Sequence, residues 1–153
     1  MSAWDETREV ERRGMAILMP KILREAKSGV YVIPKAQQHQ GDVVIDGQRY
    51  EFKIEEKYTG NLFIEQYSNR RRQTLGWLHF CESDWIWFFF LQGEHLIECC
   101  WPVLQRLVKE RARFYRLAPM KNRAHLQLND SWGYLVPISW VLQNVVTAKR
   151  LSL

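Results

Sequence analysis

Between residues 4 and 27, apolar side chains recur at helical spacing, with Val10, Ile17, Leu18 and Ile22 on one face. Asp5 and Glu6 stand near the start of this helix, and Ser28-Gly29 stops it. Pro20 predicts a kink or a division into two shorter helices. The period then changes from 3.6 to two. Residues 30–33 predict a short strand and the polar stretch after Pro34 a loop. Residues 43–45 and 48–54 predict two strands joined by Asp46-Gly47. Asp-Gly between two such runs is a strong hairpin signal, expected as a type I′ turn.

Downstream, residues 57–61 predict a turn and 62–67 a further strand. Residues 68–76 read as a basic loop, and 85–91 as a central strand covered on both faces. Pro102 opens a helix of about ten residues. Residues 114–118 and 133–138 predict two more strands, and a final helix runs from Ser139 to near the end of the chain. This order predicts an α/β protein with a mixed sheet flanked by helices. No repeat or low-complexity segment interrupts it, and 153 residues suit a single domain.

The hairpin register follows from its two-residue turn. Ile45 faces Gln48, Val44 faces Arg49, Val43 faces Tyr50, and Asp42 faces Glu51. Val43, Ile45, Tyr50, Phe52 and Ile54 then form a core face. Asp42, Val44, Arg49, Glu51 and Lys53 share the other. The two carboxylates fall roughly 4.5–5.5 Å apart at Cβ, where like charges repel. Lys53 can offset that repulsion as an ordinary surface ion pair. Alternatively, two acids beside an ammonium suit a hard divalent cation, which takes oxygen ligands and is held by one or two carboxylates plus substrate phosphate. With the lysine facing a phosphate, the parts suit phosphodiester hydrolysis.

Charge and composition narrow the partner. A net charge of +5 favours a polyanion such as nucleic acid. Cys81, Cys99 and Cys100 are odd in number and lack zinc spacing or a nearby His, so they suggest no disulfide framework and no metal cluster. The polar first residues do not read as a signal peptide, and the longest apolar run is too short to span a bilayer. A cytoplasmic protein without membrane contact is expected.

Asp42, followed on the next strand by Glu51-Phe52-Lys53, resembles the PD-(D/E)XK nuclease superfamily, with Gly41-Asp42 in place of Pro-Asp. The preceding helix, a third strand and the later apolar strand also resemble that core, over roughly residues 4–115. The resemblance implies a restriction-endonuclease-like core, a mixed central β-sheet flanked by α-helices, in one domain over residues 1–153. It implies a Mg²⁺-dependent DNA endonuclease, with Mn²⁺ as a substitute ion. Asp42 and Glu51 would be metal ligands and Lys53 the catalytic lysine. Chains this short in the family often act as homodimers. The alternative is a catalytically silent nuclease-fold module that binds nucleic acid or a protein partner.

Further candidates follow from position. Glu65, on the strand after the hairpin, would extend the metal site if that strand lies beside Glu51. Some members of the superfamily add an acid from the first helix; of Glu6, Glu9 and Glu11, the choice falls on Glu9 or Glu6. Arg49, Arg70, Arg71 and Arg72 could contact DNA phosphates, with Lys57 and Asn69 beside them. Trp77 and Trp132 could stack on bases, although core packing is the commoner use of such rings, and His79 reads as structural.

Overall fold

The computed structural model describes residues 3–120 and 130–153. Its first element is helix α1, Ala3–Glu25. The helix runs unbroken through Pro20, so the predicted division does not occur. Leu18 and Ile22 are buried, as their spacing requires. Strand β1 is Val30–Val32, β2 is Val43–Ile45 and β3 is Gln48–Glu55. The hairpin has the predicted register, Ile45 to Gln48, Val44 to Arg49 and Val43 to Tyr50. Asp46 (φ 51) and Gly47 (φ 81) both lie in the left-handed region that a type I′ turn demands. The Asp46 carboxylate also accepts the Lys27, Ser28 and Gly29 amides, tying the exit of α1 to the turn. These bonds hold its pKa down to about 2, the Ser28 amide contributing most.

Strand β4, Asn61–Asn69, forms a tight hairpin with β5, Thr74–Leu75. The stretch expected as one basic loop is therefore paired at residues 68–69 and 74–75, with a turn at residues 70–73. A single helical turn, α2 (Trp77–Phe80), leads into β6, Trp85–Phe90. Strand β7, His95–Cys100, precedes α3, Trp101–Glu110. Strands β8 (Arg116–Pro119) and β9 (Trp132–Pro137) follow, then α4 (Ile138–Asn144) and β10 (Lys149–Leu151). The expected C-terminal helix thus stops at Asn144. The last residues add an antiparallel strand to β7.

The strands divide into two sheets rather than one. The larger has the order β1-β2-β3-β6-β7-β10 and is mixed, since β3 and β6 run parallel. The smaller, β5-β4-β9-β8, is antiparallel. As expected of a near-continuous apolar run, β6 is interior and buried on both faces. On one side Trp87 and Phe89 join Val43, Phe52 and Leu96 beneath Leu18 and Ile22 of α1. On the other, Ile86, Phe88 and Phe90 meet Leu62 and Ile64 of β4, Val136 of β9, and Leu104 and Val108 of α3. The predicted hairpin core face turns toward α1. Glu51 and Lys53 lie on the opposite face, toward the smaller sheet. No described helix is long and apolar enough to cross a membrane.

Candidate active site

The site begins with a backbone device. Gly41, just before β2, has φ 124 and ψ −174, a region essentially reserved for glycine. A Cβ there would lie 2.9 Å from the Tyr50 carbonyl oxygen. Proline, fixed near φ −65°, cannot take this conformation. Glycine rather than proline before Asp42 is therefore what this backbone requires. From it the Asp42 amide donates to the Tyr50 carbonyl (2.8 Å), and the Asp42 Oδ2 accepts the Phe52 amide (2.8 Å). Asp42 thus lies just beyond the paired strand, its carboxylate held by the backbone between Glu51 and Lys53.

Glu51 is buried, and its Oε1 lies 2.7 Å from the Lys53 Nζ. Burial pushes the Asp42 carboxyl up, against the Phe52 amide and the Lys53 charge, which pull it down. Burial likewise raises Glu51, with the charges of Asp42 and Glu11 adding to it and Lys53 opposing. Burial alone would lower Lys53. Glu51 and Asp42 more than reverse this, so its ammonium is held above the ordinary range. Its Nζ stands 4.5 Å from the centre of the Trp77 ring, a cation–π contact that leaves 27% of the side chain exposed. Two carboxylates and one ammonium therefore meet in a partly dry site, and the lysine only partly offsets the acids.

Glu65 joins the rim. Its Oε1 accepts the Trp77 amide (3.3 Å). Burial raises its carboxyl; the Trp77 amide and then the Lys53 charge pull it down. Gly76 makes this approach possible, since a Cβ there would fall 2.6 Å from the Glu65 Cγ. The strict alternation expected along β4 breaks here. The pairing with β9 shifts between Glu65 and Tyr67, and Gln66 turns to His79, Oε1 to Nε2 2.8 Å. His79 therefore has a structural partner and no contact with the acids among its described bonds.

Of the helix acids, the sequence favoured Glu9 or Glu6, and the structure gives each of Glu9 and Glu11 a distinct surrounding. Glu9 is spent on an exposed pair with Arg12, Nη2 to Oε1 2.6 Å. It is Glu11 whose carboxyl feels Asp42 and Lys53, after a larger upward push from burial. The helix phase carries the signal. Leu18 and Ile22 fix the inward stripe, and one turn earlier Gly14 packs so tightly on Ile54 that a Cβ would sit 2.5 Å from its Cγ2. Glu11 lies seven residues before Leu18 on that same stripe.

The basic candidates are more dispersed. Arg49 pairs with Asp84, Nη2 to Oδ1 3.5 Å. Arg70 lies over the Trp132 ring at 4.0 Å, and Trp132 Nε1 donates to Asp130. Arg71 is 84% exposed and only grazes Asp130 at 3.8 Å. The Arg72 amide is anchored by the Asn69 side chain in the β4–β5 turn. Trp77 packs on Trp101 as well as on Lys53.

Among the described residues, no group of three or more His, Cys, Asp or Glu side chains is disposed to hold a metal ion. The donor set nonetheless fits a hard divalent cation held by few protein ligands. Asp42 and Glu51 supply adjacent carboxylate oxygens, and burial leaves both short of positive charge. No protein-family model matches the chain, and neither the curated proteins nor the solved structures show a significant similarity to it.

Proposed function

We propose that the chain is a Mg²⁺-dependent DNA endonuclease of the PD-(D/E)XK kind, hydrolysing phosphodiester bonds at Asp42, Glu51 and Lys53. One observation carries this reading: a buried carboxylate (Glu51), a half-buried one (Asp42) and a lysine converge where the protein alone leaves both carboxyls raised. Asp42 and Glu51 would hold the ion, with Glu65 and Glu11 at the edge of the site. Mg²⁺, when bound, supplies neutralising charge and a water of lowered pKa. The Phe52 amide fixes the Asp42 carboxylate, and the Trp77 ring steadies Lys53 from one side. Because its neighbours keep Lys53 protonated, it acts as a cation. It would orient the attacking water and stabilise charge on the phosphate. Arg71, widely exposed, is free to meet a phosphate of the DNA backbone.

A second reading has one observation in its favour. The 2.7 Å Glu51–Lys53 pair already gives Glu51 a counter-ion without metal, as a silent binding module would. Labelled duplex, single-stranded and four-way-branched DNA, incubated with Mg²⁺, Mn²⁺ or EDTA, separates the two. Metal-dependent cleavage by the wild type supports the nuclease; bound but uncut DNA under every condition supports the module.

A further inference from the structure

A cavity of about 470 Å³ lies away from Asp42, at the far end of β4. Its floor is the outer face of the smaller sheet. Asn61 pairs with Pro137 and Leu135 with Arg116, and these four side chains share one face. Leu62, Ile64 and Val136, on the other face, are buried in the core. Arg111, Phe114 and Tyr115, which follow α3, complete the wall with Trp140 of α4. The size falls within the range of small-ligand sites.

The lining is aromatic and cationic. The Arg111 guanidinium stands 4.7 Å from the Trp140 ring centre and 5.1 Å from that of Phe114. Tyr115 meets Trp140 edge to face at 6.2 Å. Phe114 is 61% exposed, a large ring left in water. No carboxylate lines the cavity among the described residues. Two buried polar atoms of the wall, Arg111 Nε and Tyr115 OH, have no hydrogen-bond partner. Buried polar groups are almost always paired, so both are suited to a ligand that brings acceptors. Flat rings, arginines and orphaned donors together match a nucleotide, whose base stacks and whose phosphate accepts.

We propose that this cavity holds one unpaired nucleotide of the nucleic-acid substrate, its base against Trp140 and Phe114 and its phosphate on Arg111 and Arg116. The identity of the ligand rests on the nuclease reading above. Asn61 and Glu65 lie four residues apart on β4, about 13 Å along the strand, with the cavity on the outer face of the sheet and Glu51 and Lys53 toward its inner face. A single strand passing round the sheet from the acids would reach the cavity, so the site would favour substrates with an unpaired segment beside the bond that is cut.

The test is binding of fluorescein-labelled dT8 by anisotropy in EDTA, where no cleavage occurs. Trp140→Ala is expected to weaken binding about tenfold, as removal of one stacking ring does. Trp140→Phe should retain most of the affinity. Arg111→Ala should weaken binding and flatten its salt dependence. If Trp140→Ala does not fold by circular dichroism, Phe114→Ala, at an exposed ring, carries the same expectation. Wild-type affinity in a folded Trp140→Ala or Phe114→Ala, or no dT8 binding by the wild type, overturns the proposal. Failure of the nuclease reading shows separately: dT8 affinity would still depend on Trp140, but Mg²⁺ would bring no cleavage.

Discussion

Replacing Gly41 by alanine tests the backbone on which Asp42 depends. At φ 124 and ψ −174, a residue with a Cβ is strained by about 1–3 kcal/mol. The new Cβ would also meet the Tyr50 carbonyl oxygen at 2.9 Å, and that atom belongs to the β3 backbone. Against this, alanine restricts the unfolded chain and returns about 0.4–1 kcal/mol. The net loss is about 1–2 kcal/mol. For a chain of this size, with about 2–4 °C per kcal/mol, Tm should fall by about 2–8 °C. Thermal unfolding followed by circular dichroism reads it directly. Gly29→Ala is the control, since a Cβ there meets nothing within 4 Å, and its Tm should stay level or rise slightly. The strain should also shift Asp42 away from the Phe52 amide, so cleavage should fall more than stability. A Gly41→Ala protein with the Tm of the control would refute the reasoning, because neither strain nor collision would then exist.

Three other expectations can be checked with the same preparation. Burial pushes the Glu55 carboxyl up to about 7, against an ordinary 4.5. The folded state thus keeps a proton that the unfolded chain loses. Stability should decline by up to about 3 kcal/mol between pH 4.5 and 7 and level off above, and Glu55→Gln should remove this slope in denaturant titrations. Gly76→Ala should push Glu65 from the Trp77 amide; it should lower cleavage while costing about 1–2 kcal/mol of stability, and unchanged activity would detach Glu65 from the site. Addition of Mg²⁺ at about tenfold its Kd should stabilise the wild type by about 1.4 kcal/mol, and Asp42→Asn should abolish that gain in a thermal-shift titration.

The hairpin was legible because Asp46-Gly47 admits one tight turn, which fixes the pairings from Ile45–Gln48 to Val43–Tyr50; Asp42 lies just beyond them. Central β6 was legible because a strand buried on both faces reads as an unbroken apolar run. By contrast β7 was missed: Glu98 interrupts its apolar pattern, and only the structure shows that carboxylate accepting the Trp87 indole N–H. Strand β10 was read as helix because Lys149-Arg150-Leu151 has little pattern of its own and is ordered by pairing with β7. The division into two sheets depends on long-range partners, which periodicity does not encode. Glu11 was recoverable from the phase set by Leu18 and Ile22. The contact between Trp77 and Lys53, across 24 residues, was not.

The central claim is that Lys53 and its two acids cut DNA, and a single-turnover comparison tests it most directly. Wild type and Lys53→Met would be mixed with the labelled DNA that the wild type cuts best, in excess enzyme with Mg²⁺, with affinity measured in parallel in EDTA. Loss of one fixed cation from the transition state should slow cleavage about 10²–10³-fold while leaving binding within about twofold. Equal cleavage rates for the two proteins would contradict the account and leave the Glu51–Lys53 pair a purely structural contact.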